Sequence, residues 1–255
     1  MQITDLIPRS VVVRFVNALI GMAAVYLLLR VAGFHRLIAG DTEGIGVLLE
    51  IIGTLYSVLY AFATYVVWGQ FTAVESEIFK EAAALLDLVL FSGRWKEPAR
   101  EPVLQAVRMY ARAVIETEWK ALSQGDPTEK TDRLFAGIVS AVTEVKPEDD
   151  DQRTLYGRLL DIADQASVHR GERLSLSVKR IPRTLLLLVT LTALAIVFLL
   201  FLYAFRSTLL GLISLAVTTL LLWLTYFVIT DLDNPFTGTW NVSSAPFEQL
   251  LKKAR

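Results

Sequence analysis

One carboxylate, two hydroxyls and three very small side chains recur along a single apolar stretch of this 255-residue chain. Gly46, Glu50, Gly53, Ser57, Ala61, Thr64 and Trp68 follow one another at steps of four and three, with Tyr60 alongside. A helix carries residues at those steps on one face. Such a face has two uses. Small residues let membrane helices approach closely. Alternatively, a water-filled path tolerates Glu50, Ser57 and Thr64 where lipid does not, and the face then lines a pore. A ring of Glu50 carboxylates around an oligomer axis would favour cations. Arg30 ends the preceding apolar segment at the same depth, so neutralisation of Glu50 within one chain is the competing reading.

A second cluster lies at 231–238, where Asp231, Asp233 and Asn234 precede Pro235. Aspartate and asparagine before proline commonly build the turn that ends a helix. The other reading is that Asp231, Asp233 and nearby carbonyls hold a hard cation such as calcium, although the spacing is not that of an EF-hand. The acidic run 148–151 after Pro147 has the same two readings, and its place at a helix start suits the positive end of the helix dipole. His35 and His169 are the only histidines and lie far apart without metal-ligand spacing. There is no cysteine, which excludes disulfides and thiolate chemistry. No nucleophile–base pairing, metal signature or glycine-rich phosphate loop is present, so no enzyme is expected.

The elements that must carry these residues follow from hydropathy. Hydrophobic residues make up 54% of the chain, and mean hydropathy is +0.48. They are gathered in four runs of about 20 residues, the length that crosses a bilayer core of about 30 Å as a helix. The runs cover 11–31, 45–68, 184–203 and 207–229 and form two hairpins. The first is not read as a signal peptide, because Arg14 and Asn17 interrupt it and a second span follows at once. Arg14, at the cytoplasmic end of that span, can snorkel to the interface. Four spans put both termini and the middle region on one side. That side carries Arg9, Lys80, Arg173, Lys179, Arg180, Arg183, Lys252 and Lys253, against Arg30, Arg36 and Arg206 on the other, so it is the cytoplasmic one. The sequon at Asn241 is therefore not a glycosylation site. Net charge is -1, which calls for no nucleic-acid partner.

Between the hairpins, 69–182 reads as about four helices. The second span runs on through Phe71, Val74, Ile78, Ala82 and Leu85 and breaks near Ser92 and Gly93. Pro102 suits a first helical turn, and Val103, Val107, Tyr110, Val114 and Trp119 bury the next helix, which stops at Gln124 to Pro127. A third helix starts near Thr128. The fourth carries Leu155, Leu159, Ile162 and Leu174 towards a basic collar at 179–183, where Pro182 precedes the third span.

Three places resemble the bestrophin-like family of bacterial and plant membrane proteins. Tyr60 to Trp68 with Phe71, Ala73, Val74, Glu81 and Ala82 resemble its first block. Tyr110 to Leu122 with Glu118 and Trp119 resemble its middle block. Asp231 to Gly238 with Val242 to Pro246 resemble its last, and Asn234-Pro235-Phe236 is similar to the turn after the last span of true bestrophins. The resemblance implies pentameric channels whose second span lines a central pore, with a cytoplasmic helical vestibule. Animal members bind calcium after the last span through an acidic run, but here Thr239, Trp240 and Asn241 follow Gly238.

The expected protein is thus an all-α membrane protein of the inner membrane with a transmembrane hairpin at 1–68, a cytoplasmic helical domain at 69–182, a second hairpin at 183–230 and a cytoplasmic segment at 231–255. Its expected role is one subunit of a homo-oligomeric, pentameric ion channel. Lipid and inorganic ions are its partners, and no cofactor is required unless calcium sits at Asp231 and Asp233. The alternative is a non-conducting membrane scaffold or signalling adaptor, in which the stripe only packs helices.

Overall fold

The computed structural model describes residues 9–37, 39–95, 99–126 and 129–254. Pro127 and Thr128, expected at a helix stop and start, lie outside the described residues, as do the side chains of Arg9 and His35. In chain order the elements are α1 (Arg9–Val31), α2 (Phe34–Leu37), a 3-10 turn (Ala39–Asp41), α3 (Thr42–Ser92), α4 (Arg100–Ala113), a π-helical turn (Val114–Glu118), α5 (Trp119–Ser123), α6 (Glu129–Thr143), α7 (Asp150–Ser177), α8 (Arg183–Leu202), α9 (Thr208–Leu232) and α10 (Ala245–Lys253). No strand occurs among the described residues. The link expected to be merely polar after α1 contains α2 and the 3-10 turn, and the segment after α9, for which no helix was expected, contains α10.

The chain divides into two compact units. One runs to Val67 and resumes over Ile181–Asp231, and the other comprises Trp68–Arg180 and the residues from Leu232 onward. The first unit holds α1, the start of α3, α8 and nearly all of α9. Among the described residues four helices, α1, α3, α8 and α9, are long and apolar enough to cross a membrane. Some hydroxyls within them are satisfied by their own helix: Thr190 and Thr192 donate to the carbonyls of Leu186 and Leu188 at 2.7 and 2.8 Å, which removes the cost of a bare hydroxyl in an apolar surrounding. Ile20, Leu28, Val58 and Leu209 each leave more than 60% of their surface open. Water would disfavour so much exposed apolar area, whereas lipid or a second chain covers it.

Contacts between these helices are aromatic and close. Phe15 of α1 stacks on Trp223 of α9 with ring centroids 4.4 Å apart. Tyr56 of α3 meets Thr225 of α9 by a 2.5 Å hydrogen bond. The buried ring of Tyr26 lies against the backbone at Gly211, where a Cβ would collide with its hydroxyl and stand 2.6 Å from its Cζ. Glycine at 211 is therefore required by close approach.

The second unit packs the rest of α3 with α4 to α7 and α10. Its core includes Val74, Leu85, Val107, Val114, Ile138, Leu159 and Phe247, all fully buried. Asp149 caps α7 by accepting from the Gln152 amide at 2.7 Å, and the Gln152 side chain accepts from the Glu148 amide at 2.9 Å. The acidic run is thus a reciprocal helix cap. The helix expected to continue from Pro102 to Gln124 is interrupted by the π turn, where the Trp119 amide donates to the Val114 carbonyl, five residues back. Tyr110, Val114, Glu118 and Leu122 are all fully buried. Steps of four drift about 40° each on a straight α-helix, so the wider turn takes up part of a rotation that would swing Leu122 away from the core.

Candidate functional site

Burial along α3 sorts its two sides. Ile45, Tyr56, Ala63 and Val67 are buried against the chain's own helices, whereas Glu50, Ser57 and Ala61 are exposed and Gly46, Gly53 and Tyr60 are half-buried. Nothing in the chain approaches the place a Cβ would take at Gly53, and at Gly46 the nearest atom is a Tyr203 ring carbon at 3.7 Å. Packing within one chain therefore does not account for the small residues at 46 and 53. The Ser57 hydroxyl donates to the Thr54 carbonyl at 2.8 Å, and Thr54 donates to the Glu50 carbonyl at 2.8 Å. Thr64 departs from the expected stripe, because its hydroxyl oxygen is buried without a hydrogen-bond partner. Tyr60 stacks on Tyr56 at 6.2 Å.

Arg30 does not pair with Glu50. Its Nε donates to the Thr208 hydroxyl at 3.1 Å, and its two terminal nitrogens donate to the carbonyls of Phe205 and Arg206 at 2.5 and 2.9 Å. All three nitrogens of the fork are spent on the α8–α9 turn, whose carbonyls lack helical donors. Neutralisation of Glu50 by Arg30 is therefore corrected: α1 ends in a clamp on that turn, and the Glu50 carboxylate faces outward.

In the second unit, the three blocks singled out in the sequence meet. Trp68 lies 6.0 Å from Trp240 edge to face and 6.1 Å from Phe71. Trp119 packs edge to face on Phe236 at 5.3 Å and on Phe247 at 6.0 Å, and its indole nitrogen donates to the Val242 carbonyl at 3.3 Å. Asn234 forms a turn in which its side-chain oxygen accepts from the Phe236 amide at 3.3 Å while its amide nitrogen donates to the Ser123 carbonyl at 3.0 Å. Asn234 thus joins the segment after α9 to the end of α5. Asp231 falls in the last turn of α9, and Asp233 follows the helix. Among the described residues no group of three or more histidines, aspartates or glutamates could hold a metal ion.

The same unit buries a charged cluster. Arg173 of α7 is fully buried, and its Nε donates to Glu81 Oε2 at 2.6 Å. Its Nη2 reaches the Tyr110 hydroxyl at 3.3 Å and Glu118 Oε2 at 3.4 Å. Tyr110 in turn donates to Glu81 Oε1. Arg170, one turn earlier, bonds Asp132 of α6 at 2.5 Å. Burial pushes the Tyr110 hydroxyl well above the usual phenol range, and the Glu81 charge adds to the effect. Burial also raises the Glu118 carboxyl, against the opposing pull of Arg173 and Arg170. For Arg173 burial works against the charge, but Glu81 and its neighbours outweigh it, so the guanidinium is held charged. Arg173, expected among the basic residues near a membrane surface, is instead the central cation of this interior cluster. Sequence reasoning noted Glu81 and Glu118 only as parts of a resemblance, and Tyr110 also as part of the buried face of its helix. The signal that a cluster exists is the fully buried four-step series 110, 114, 118, 122, which sets Glu118 in a row of core positions.

A sequence model of the Bestrophin-like domain matches residues 15–247. Among solved structures, a bacterial Bestrophin homolog from Klebsiella pneumoniae superposes with a TM-score of 0.70 at 12% identity, over 96% of this chain and 97% of that one. Two single-substitution variants of a Klebsiella pneumoniae homolog superpose with a TM-score of 0.73. One is 11% identical, over 94% of this chain and 97% of that one. The other is 12% identical, over 94% and 96%. No curated protein matches the chain. At these identities the structural likeness is one of fold. The domain match extends from α1 into α10 and covers most of the chain, which belongs to the Bestrophin-like family.

Proposed function

We propose that the chain is one subunit of a homo-oligomeric channel, a pentamer by analogy with the family, that conducts inorganic ions passively along a central path. The α1, α8 and α9 helices and the first part of α3 cross the cell's inner membrane as two hairpins, with both termini and the second unit in the cytoplasm. The small and polar side of α3, from Gly46 through Glu50, Gly53, Ser57, Tyr60 and Ala61 to Trp68, lines the path.

One observation carries this reading. Glu50, Ser57 and Ala61 point away from every helix of their own chain, and Gly53 has open space where a larger residue would fit. A carboxylate on the outward face of a membrane helix is costly against lipid, so it calls for water or another copy of the chain. With Arg30 committed elsewhere, a ring of Glu50 carboxylates has no pairing from that arginine and favours cations at that mouth.

The test is ion flux into vesicles containing the purified chain. A passive current in a common salt is expected, with Glu50→Gln lowering cation preference and Ser57→Trp reducing flux by about tenfold or more through occlusion. Absence of current in every common salt, together with a monomer or dimer in detergent, would replace the channel by a non-conducting membrane scaffold.

A further inference from the structure

The second unit carries a cleft of about 420 Å³ along α4 and α6, within the range of small-molecule sites. Arg108, Arg112 and Lys130 stand on its lining against a single carboxylate, Glu116, and Met109 and Leu134 supply an apolar floor. Arg108 and Arg112 are one turn apart on α4, where like charges repel. Arg108 is partly engaged, its Nε donating to the Ala254 carbonyl at 2.5 Å and its Nη1 lying 3.4 Å from Glu101. Arg112 and Lys130 pair with no carboxylate among the described residues. Glu116 lies on the π turn, an irregularity frequent at functional sites because it redirects side chains. Met109 leaves 48% of its surface open beside these cations, so an apolar surface and unspent positive charge share one concavity.

We propose that this cleft binds a small organic phosphate. Guanidinium groups take phosphoryl oxygens in pairs, and a lysine adds a compact point charge. The phosphoryl group sits between Arg108, Arg112 and Lys130, and a flat apolar body covers Met109 and Leu134. A lipid headgroup offers the same phosphoryl chemistry, and the nanodisc arm of the test separates it from a soluble ligand. The proposal is independent of conduction.

Titration calorimetry on the detergent-solubilised full chain tests it, with adenosine monophosphate as the probe and inorganic phosphate beside it. Saturable binding of adenosine monophosphate is expected, about tenfold tighter than phosphate because the floor contributes only to the former. Arg112→Gln combined with Lys130→Gln weakens both ligands by about tenfold or more. Met109→Ser weakens adenosine monophosphate alone. All three side chains are exposed, so the thermal midpoint should stay that of the wild type, separating lost binding from lost fold. No saturable heat at millimolar probe, or undiminished binding by the double variant, overturns the proposal. Loss of probe binding in nanodiscs containing phosphatidylglycerol, but not in those of phosphatidylcholine alone, assigns the cleft to a lipid headgroup and overturns the soluble ligand.

Discussion

Replacing Arg173 with methionine keeps much of its stem but removes the cation that Glu81 and Glu118 share. Arg173, Glu81 and Glu118 are all fully buried, so solvent cannot take over the lost pairing. Breaking a buried pair by removing one partner costs about 3–5 kcal/mol, because the remaining charge stays desolvated. At about 2–4 °C per kcal/mol for a protein of this size, the midpoint should fall by about 6–20 °C. Fluorescence-detected unfolding in detergent reports this directly, since Trp119 packs on Phe247 and Arg173 lies 5.8 Å from the same ring. The cluster makes a second, sharper demand. Glu81→Gln removes one of the stranded carboxylates, so the Arg173→Met, Glu81→Gln double variant should be more stable than the sum of the single losses by about 1–3 kcal/mol. A midpoint shift below about 2 °C for Arg173→Met, or strict additivity in the double variant, would refute the view that this cation holds the unit's interior charge balance.

Further expectations follow from other contacts. Gly211→Ala forces Tyr26 aside and should cost about 1–3 kcal/mol. Tyr26→Phe removes the colliding hydroxyl, which is buried without a partner, so it should be near neutral alone and should recover part of that loss when both unfolding midpoints are compared. Asn234→Ala loses both the turn and the bond to Ser123, and a destabilisation of about 1–3 kcal/mol by thermal unfolding is expected, with Asn234→Asp losing only the donated bond. Glu118 has a raised carboxyl, so its contribution to stability is fully present below the ordinary glutamate value of about 4.3 and is lost as pH rises through its folded value. The wild type should therefore lose midpoint relative to Glu118→Gln as pH rises from about 4, and a wild type that gains on the variant with rising pH would contradict this.

How much of this was legible in the sequence depended on the range of the interactions. The apolar helices were readable because twenty residues without charge have few alternatives to a spanning helix. The start of α7 was readable because an acidic run follows Pro147 at once, and the cap between Asp149 and Gln152 emerged only with the structure. Glu81 and Arg173, by contrast, are separated by 92 positions, and nothing local distinguishes an arginine bound for the interior from one at a membrane surface. Arg30 misled in the same way: its depth matched Glu50, but the unpaired carbonyls of a turn formed 175 residues later compete better for its fork. The π turn was hidden because Val103, Val107, Tyr110, Val114 and Trp119 were matched to the ordinary helical period, and the step of five from Val114 to Trp119 was not read as a wider turn.

The segment after α9 reaches back to build the second unit, and this orders the protein's biosynthesis. Phe247 and Leu250 are almost wholly buried among helices made long before them, and Arg108 of α4 grips the carbonyl of Ala254. A ribosome works from the N-terminus, so α4 to α7 emerge while their last packing partner is still unsynthesised, and α8 and α9 must be delivered in between. During that interval the floor beneath Trp119 is open and its apolar residues are exposed to chaperones and proteases. Completion of this unit thus waits for the synthesis of α10, which makes that helix the step that separates a closed second unit from an open one.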